Sequence, residues 1–227
     1  MVPNKKFKKI GFIFGLKKEM KLISNKKENN FCVYGYGKAS INATKKLLKH
    51  GVDIIINLGF AGSISKKFKN GDIVLIEKIY NEKKEKLSTF KFDRNLLRNL
   101  KKNFNFLKCD LLTVQKIVIG KKEKLNLLKK FDSASVVDME AFHIKKELLR
   151  TEIPMISIKV IFDDLSFDIP FYIKDCIRYD GELEIIKFLI QIIKKPQRII
   201  ELYKLKLKFS RSRKILKEII NTIQTIE

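Results

Sequence analysis

Val136-Val137-Asp138-Met139-Glu140-Ala141-Phe142 sets two carboxylates astride a methionine, where a short apolar strand, Ser135 to Val137, hands over to a helix. A strand end is a stiff place from which to present an acid to a small polar ligand. The passage from strand to helix is also the unit from which an α/β domain is built. Two other stretches share this character. Ile56-Asn57-Leu58-Gly59-Phe60-Ala61-Gly62 closes an apolar run with small residues, and Ile158-Lys159-Val160-Ile161-Phe162-Asp163 closes one with an acid.

Outward from these stretches, short apolar runs predict strands at Lys9–Phe14, Phe31–Tyr36, Asp53–Leu58, Asp72–Ile76, Leu111–Val118, Ser135–Val137 and Met155–Phe162. Helical spacing of apolar residues predicts helices at Ser40–Lys49, Arg94–Lys102, Lys124–Phe131 and Met139–Leu149. Alternating strand and helix argues an α/β fold, with a central, mostly parallel or mixed sheet flanked by helices. In such sheets ligands bind beyond the carboxyl ends of the strands. There is no internal repeat and no Gly/Ser-rich linker, so residues 1–180 are expected to form a single domain.

Residues 181–227 read as a C-terminal helical extension packed on that domain. Glu184 to Ile193 is apolar and helical, Pro196 interrupts, and Arg198 to Ile226 continues as a basic amphipathic pattern. Proline is tolerated in the first turn of a new helix, where its missing amide has no intrahelical partner anyway. Two readings stand: a pair of helices covering the sheet, or a basic, apolar-faced helix resting on an anionic membrane surface.

Composition narrows the function. The chain has 227 residues, enough for a full core, and 45% of them are apolar. Its net charge of +24 invites a nucleic-acid reading, but the 49 basic residues are 42 Lys and only 7 Arg. Base-reading surfaces lean on the arginine fork. Lysines spread evenly through a chain rich in Ile and Asn are what AT-rich coding produces, and no nucleic-acid partner is expected. Cys32, Cys109 and Cys176 are far apart and only two histidines are present, so neither a disulfide framework nor a bound metal is expected, and a reducing cytoplasm is the natural setting. Ile10–Phe14 is too short for a signal segment, and no run reaches the roughly 18 apolar residues of a membrane span.

Two glycine motifs are chemically suggestive. Gly35-Tyr36-Gly37-Lys38-Ala39-Ser40 fails as a P-loop, since Cys32 stands where the first glycine belongs and Ala39 where Ser or Thr must follow the lysine. It also lacks the third glycine of a dinucleotide fingerprint, and reads as a tight strand-to-helix turn. Gly59-Phe60-Ala61-Gly62 is different: small residues after a buried strand let a ligand approach the backbone, though a plain turn explains them equally well. Glu19, Glu140 and Asp163 each follow an apolar strand within about five residues, so an α/β sheet can gather them at one edge. Three such acids suit cleavage of a glycosidic bond. A buried one donates a proton, a second orients water, and a third accepts hydrogen bonds from sugar hydroxyls.

The chain resembles the nucleoside phosphorylase and nucleosidase family, its nearest type being the methylthioadenosine/S-adenosylhomocysteine nucleosidases. The resemblance runs in order through Gly11–Met20, Gly35–Lys38, Ile56–Gly62, Asn70–Val74, Val137–Ala141 and Ile158–Asp163. It implies that Asp163 is the general acid that protonates the purine at N7 and that Glu19 positions the attacking water. It places Glu140 at the ribose hydroxyls beside Met139 and Asp138, a loop of Phe60, Ala61 and Gly62 at the ribose border, and Ile117 and Val118 at the base. A homodimer with no cofactor is likewise implied.

Departures from the family pattern carry information. Gly15-Leu16-Lys17-Lys18-Glu19 takes the nucleosidase form rather than the Gly-Asp-Pro-x-Arg loop with which phosphorylases hold phosphate, although Lys17 or Lys18 could attract that anion. Asp138 shortens the usual first Glu, Phe60 replaces a smaller polar residue, and Phe162 stands where Ser is common. The short, Lys-rich segment Asn81–Phe92 suggests a reduced flap. Asp163–Pro170, Asp180-Gly181 and the basic tail resemble the hopanoid-associated branch, whose members are linked to removing adenine from adenosylhopane. The expected function is therefore hydrolysis of the N-glycosidic bond of a purine nucleoside, or of a nucleoside-bearing lipid. The alternatives are phosphorolysis and non-catalytic nucleoside binding.

Overall fold

The central strands of the sheet are buried on both faces, and their side chains divide by parity. In the computed structural model, which describes residues 8–24, 27–89, 94–166, 169–178 and 197–226 with isolated positions between 184 and 195, Ile10, Phe12 and Phe14 share one apolar cluster with Ile54, Ile56, Leu58, Ile156, Ile158 and Val160. Ile13, Ile55, Met155 and Ile161 point to the opposite cluster. Period-two alternation with both faces apolar requires helices above and below the sheet.

The elements follow as β1 (Ile10–Phe14), α1 (Lys17–Met20), β2 (Asn30–Tyr34), a 3₁₀ turn (Gly37–Ala39), α2 (Ser40–Lys49), β3 (Ile54–Ser63), β4 (Ile73–Asn81), β5 (Lys86–Ser88), α3 (Arg94–Asn103), β6 (Phe106–Thr113), α4 (Lys121–Lys130), β7 (Val136–Asp138), α5 (Ala141–Glu147), β8 (Met155–Asp163), α6 (Phe171–Lys174) and α7 (Arg198–Ile226). One face is covered by α3 and α7, with Leu100, Leu216, Ile219, Ile220 and Ile223 fully buried. On the other face lie α2 and α5, through Ala43, Leu47, Phe142 and Ile144. Among the described residues no helix is long and apolar enough to cross a membrane.

The sheet is mixed and partly closed. β1 pairs in parallel with β2 and β3. β3 pairs in parallel with β8 and, at its far end, antiparallel with β7. β7 pairs with β6, β6 with β4, and β4 with β8, so β3, β7, β6, β4 and β8 form a ring. Along its length β3 changes neighbour, from β1 at Ile54–Leu58 to β7 at Gly62 and Ser63. The ends of β1 and β7 diverge across Gly59–Ala61, and the acids collect around that divergence.

Several boundaries differ from expectation. Phe60, Ala61 and Gly62 are not a loop: β3 runs on through them, paired to Val160, Ile161 and Asp163 of β8. β6 begins at Phe106 rather than Leu111 and stops at Thr113, because its first half alternates exposed Lys108 with buried Cys109 and offers no continuous apolar run. The helix expected from Met139 begins at Ala141. The segment after Asn81 turns back as β5 through Lys84, whose φ is +64°, making a short hairpin on β4. Short α1 and α6 lack the length to show a periodic pattern. The expected boundary at 180/181, the break at Pro196 and most of the helix over 184–193 lie outside the described residues.

Candidate active site

Glu19 sits in the single turn of α1, which begins two residues after β1, and is 4% exposed. Its carboxylate accepts two amides. Leu16 N donates to Oε2 at 2.8 Å, closing the first turn of the helix, and Phe60 N donates to Oε1 at 2.9 Å. A Cβ on Gly59 would stand 3.0 Å from Glu19 Oε1, so this carboxylate lies directly over glycine backbone. Burial pushes the Glu19 carboxyl above its ordinary range, while the Leu16 and Phe60 amides and the charge of Lys159 act against the rise.

Glu140 approaches from the other side. It precedes α5, and its Oε1 accepts the amide of Gly37 at 3.0 Å across 103 residues of sequence. Gly37 has φ +53°, a left-handed conformation suited to glycine, which aims that amide at the acid. The carboxyl group rests on Gly15, where a Cβ would come within 3.1 Å of Cδ. Burial first, then the charge of Asp138, push Glu140 up to about 8, against the pull of Lys159 and the Gly37 amide.

Between these acids lies a cation. Lys159 is 1% exposed, and its Nζ is 3.0 Å from Asp138 Oδ2. Burial alone would lower the Lys159 ammonium, yet Asp138, Glu140 and Glu19 together hold it above its ordinary range. Asp138 has protein partners at both oxygens. Thr113 Oγ1 donates to Oδ1 at 2.8 Å, while Ala141 N donates to Oδ2 at 3.0 Å and so caps α5. Thr113 Oγ1 in turn accepts Phe142 N at 2.9 Å. Asp138 thus ties β6, β8 and α5 together immediately beneath Glu140.

Asp163 ends β8, 5% exposed, opposite Gly62 in the strand register. A Cβ on Gly62 would lie 3.9 Å from Asp163 Oδ2 and 3.2 Å from Val137 Cγ2, so the absence of a side chain keeps the space beside the acid open. Lys124 of α4, fully buried, reaches Asp163 Oδ2 at 2.6 Å and donates to the Asp164 carbonyl at 3.0 Å. Asp164 itself accepts Asn70 N at 2.7 Å and pairs with Lys208 of α7 at 3.2 Å. Its carboxyl is held down near 2: burial would raise it, but the bonds from Ser166, Asn70 and Lys208 prevail.

An aromatic trio borders the same region. The Phe60 ring lies 5.5 Å from that of Phe209 and 6.2 Å from that of Phe162, and Phe162 and Phe209 meet edge to face at 5.9 Å. Met139 packs with buried Val118 and Val137, while Ile117 is half-buried nearby in the chain. Lys17 and Lys18 are exposed.

The residues singled out from sequence are thus distributed around one divergence in the sheet: Glu19 over Gly59, Glu140 over Gly15, Asp163 beside Gly62. Sequence reasoning left Lys124, Lys159, Thr113 and Phe209 without a role. Lys159 did carry a signal, since a lysine inside an otherwise apolar strand must find a buried partner. Lys124 carried none, being one of several lysines on a polar helix.

Comparison with known proteins gives a consistent result. Residues 8–201 match the family model described as the phosphorylase superfamily. A 5′-methylthioadenosine/S-adenosylhomocysteine nucleosidase of Buchnera aphidicola subsp. Baizongia pistaciae is 32% identical over 202 residues, covering 70% of this chain and 79% of the relative. Among solved structures, the futalosine hydrolase of Helicobacter pylori superposes with a TM-score of 0.66 at 15% identity, over 96% of this chain and 97% of that one. The 5′-methylthioadenosine/S-adenosylhomocysteine nucleosidase of Neisseria meningitidis, in complex with methylthio-immucillin-A, gives 0.63 at 18% identity, over 94% and 98%. At such identities the two structures speak for the fold alone.

Proposed function

The chain belongs to the phosphorylase superfamily, and we propose that it hydrolyses the N-glycosidic bond of a purine nucleoside, releasing adenine. What supports this reading is the placement of Glu19 over Gly59, Glu140 over Gly15 and Asp163 beside Gly62, about the stretch where β3 passes from β1 to β7. Glu19 accepts the backbone amides of Leu16 and Phe60, which fix the carboxylate in place to hold and orient a water molecule. Asp163 passes a proton to N7 of the base, drawn from the Lys124 ammonium against its Oδ2, so that the purine departs neutral and the ribose develops oxocarbenium character. Water adds to the anomeric carbon and its proton passes to Glu19. Glu140, a carboxyl fixed by the Gly37 amide, engages the ribose hydroxyls, with Met139 against the sugar. Asp138 supports Glu140 from below rather than reaching past it.

Water is favoured over phosphate because the loop after β1 closes on Glu19 and both of its lysines are exposed. Val118 and Ile117 serve the base side, and Phe60, Ala61, Gly62 and Phe162 serve the sugar and its 5′ substituent. The trio of Phe60, Phe162 and Phe209 supports a second reading of that substituent, a lipid such as the triterpene of adenosylhopane in place of a methylthio group. On this reading the protein works in the cytoplasm as a homodimer, with residues 181–227 as an extension of the catalytic domain.

Adenine release from 5′-methylthioadenosine, adenosine and a lipid-linked adenosine, each with and without phosphate, tests the proposal. The free sugar, ribose or its 5-substituted form, is expected under both conditions, and the corresponding sugar 1-phosphate would overturn hydrolysis. Asp163→Asn is expected to lower turnover by about 10²–10⁴-fold. Adenine binding without release by the unmodified protein would make it a binder.

A further inference from the structure

The first turns of α7 carry an apolar strip on the side of the helix that faces away from the protein. Ile199, Ile200, Tyr203 and Leu207 are 57%, 64%, 61% and 52% exposed. With 3.6 residues per turn they fall within one arc of about 100°. Ser212, Leu216, Ile219, Ile220 and Ile223, all fully buried against the sheet, define the opposite side. An outward helix face is ordinarily polar. Here the polar residues stand at the edges of the arc, with exposed Lys204 on one side and Lys206 on the other. Further along, the same face turns basic through exposed Arg211, Lys214 and Lys217, with Glu218 its one acid.

We propose that this face of α7 is a membrane-docking surface, which lies flat on an anionic lipid bilayer with Ile199, Ile200, Tyr203 and Leu207 in the headgroup–acyl boundary. Apolar residues rimmed by lysines are the chemistry that such a boundary recognises, and the tyrosine adds an amphipathic ring of the kind enriched there. Charge complementarity selects the occupant. A second copy meeting the same patch about a two-fold axis would bring Lys204, Lys206, Lys214 and Lys217 of each protomer together, between two molecules of net charge +24. An anionic bilayer meets that field with opposite charge, and attracts basic residues within a Debye length. Docking also has a geometric consequence. Phe209 and Lys208, on the next turn, touch Phe60, Phe162 and Asp164, so the bilayer surface is brought beside the aromatic side of the candidate site. The docking itself is independent of the reaction proposed above.

Flotation of the full chain with phosphatidylcholine vesicles, with and without about a third phosphatidylglycerol, tests this surface. Binding is expected only to the anionic vesicles, and is expected to weaken as salt rises. Each charge reversal in Lys204→Glu/Lys206→Glu should lower the partition coefficient at least fivefold, the equivalent of about 1 kcal/mol per basic residue. Ile199→Ser/Leu207→Ser should lower it about tenfold or more while shifting the thermal midpoint little, because more than half of each residue is already exposed to water. The proposal fails if the chain ignores anionic vesicles, or if it binds them equally after either pair of substitutions. It also fails if Ile199→Ser/Leu207→Ser converts a dimer to a monomer, which would give the face to a second copy. Loss of duplex DNA binding in the charge-reversed variant, with no vesicle binding in the parent, would assign the face to nucleic acid instead.

Discussion

Replacing Lys159 by methionine removes the buried cation held among Asp138, Glu140 and Glu19 while keeping the volume of the side chain. All four groups are at most 6% exposed, and the Lys159–Asp138 contact is 3.0 Å. Breaking a buried pair by deleting one partner costs about 3–5 kcal/mol, because the surviving charge stays buried. For a domain of this size 1 kcal/mol moves the melting midpoint by about 2–4 °C, so Lys159→Met is expected to lower it by about 6–20 °C at pH 7. The loss must also depend on pH. Lys159 titrates above its unfolded value, so its stabilisation is fully present below that value and is lost as pH rises through the folded one, well above neutrality. Without the ammonium, the neighbouring carboxyls can remain buried only by taking up protons. The penalty should therefore be smaller at pH 5 than at pH 8, where protonating each acid is harder. Adding Asp138→Asn should recover much of the loss, since an amide can still accept a bond beside Thr113 and Ala141. Urea denaturation of the two single variants and the double variant at pH 5, 7 and 8 measures all of this. A Lys159→Met variant within 1 kcal/mol of the parent, or one whose deficit is the same at every pH, would refute the account of this charge cluster.

Three further outcomes follow from the same geometry. Glu140 titrates at about 8 when folded against an ordinary value of 4.5, so its contribution is present at low pH and declines as pH rises between those values. Glu140→Gln should flatten the stability profile over that window, read from urea midpoints, while weakening nucleoside binding. Gly59→Ala places a methyl 3.0 Å from Glu19 Oε1. It should cost about 1–3 kcal/mol of stability and lower turnover more than affinity, as steady-state kinetics on a responsive nucleoside would show. Leu216 is fully buried between α7 and the sheet, so Leu216→Ala should destabilise the fold by about 2–5 kcal/mol in chemical denaturation. A loss below 1 kcal/mol would mean that α7 is peripheral to the core.

Much of the architecture was legible because its central strands are apolar but for one polar residue each, Asn57 and Ser157, which bond to one another. Ile54–Leu58 and Met155–Ile158 can be stable only between two covering layers, and that demand implies the helices on either side. Where a strand is mixed the signal fails. β6 alternates Lys108 and Asp110 with buried neighbours, so its start was misplaced by five residues, and β3 conceals its last five residues behind two glycines. Glycine in a strand resembles a turn until the partner strand is known. Here Val160–Asp163 on one side and Val137 on the other hold Phe60–Gly62 extended.

The acids divide in the same way. That Glu19, Glu140 and Asp163 stand near strand ends is a property of the chain, because residue type and distance from an apolar run are local. Their chemistry is not local. Glu140 sits at about 8 because burial and the charge of Asp138 outweigh the opposing pull of Lys159 and the Gly37 amide, which reach it from separate segments. Asp163 meets Lys124 across 39 residues, through a lysine that nothing in the primary structure distinguishes from its neighbours. Sequence alone determined the alternation of elements, the identity of the acids and the small residues set aside for them. Only the tertiary structure decided which charges share a buried volume, because electrostatic energy depends on distance and solvent exclusion, and neither exists until the ring of strands has closed.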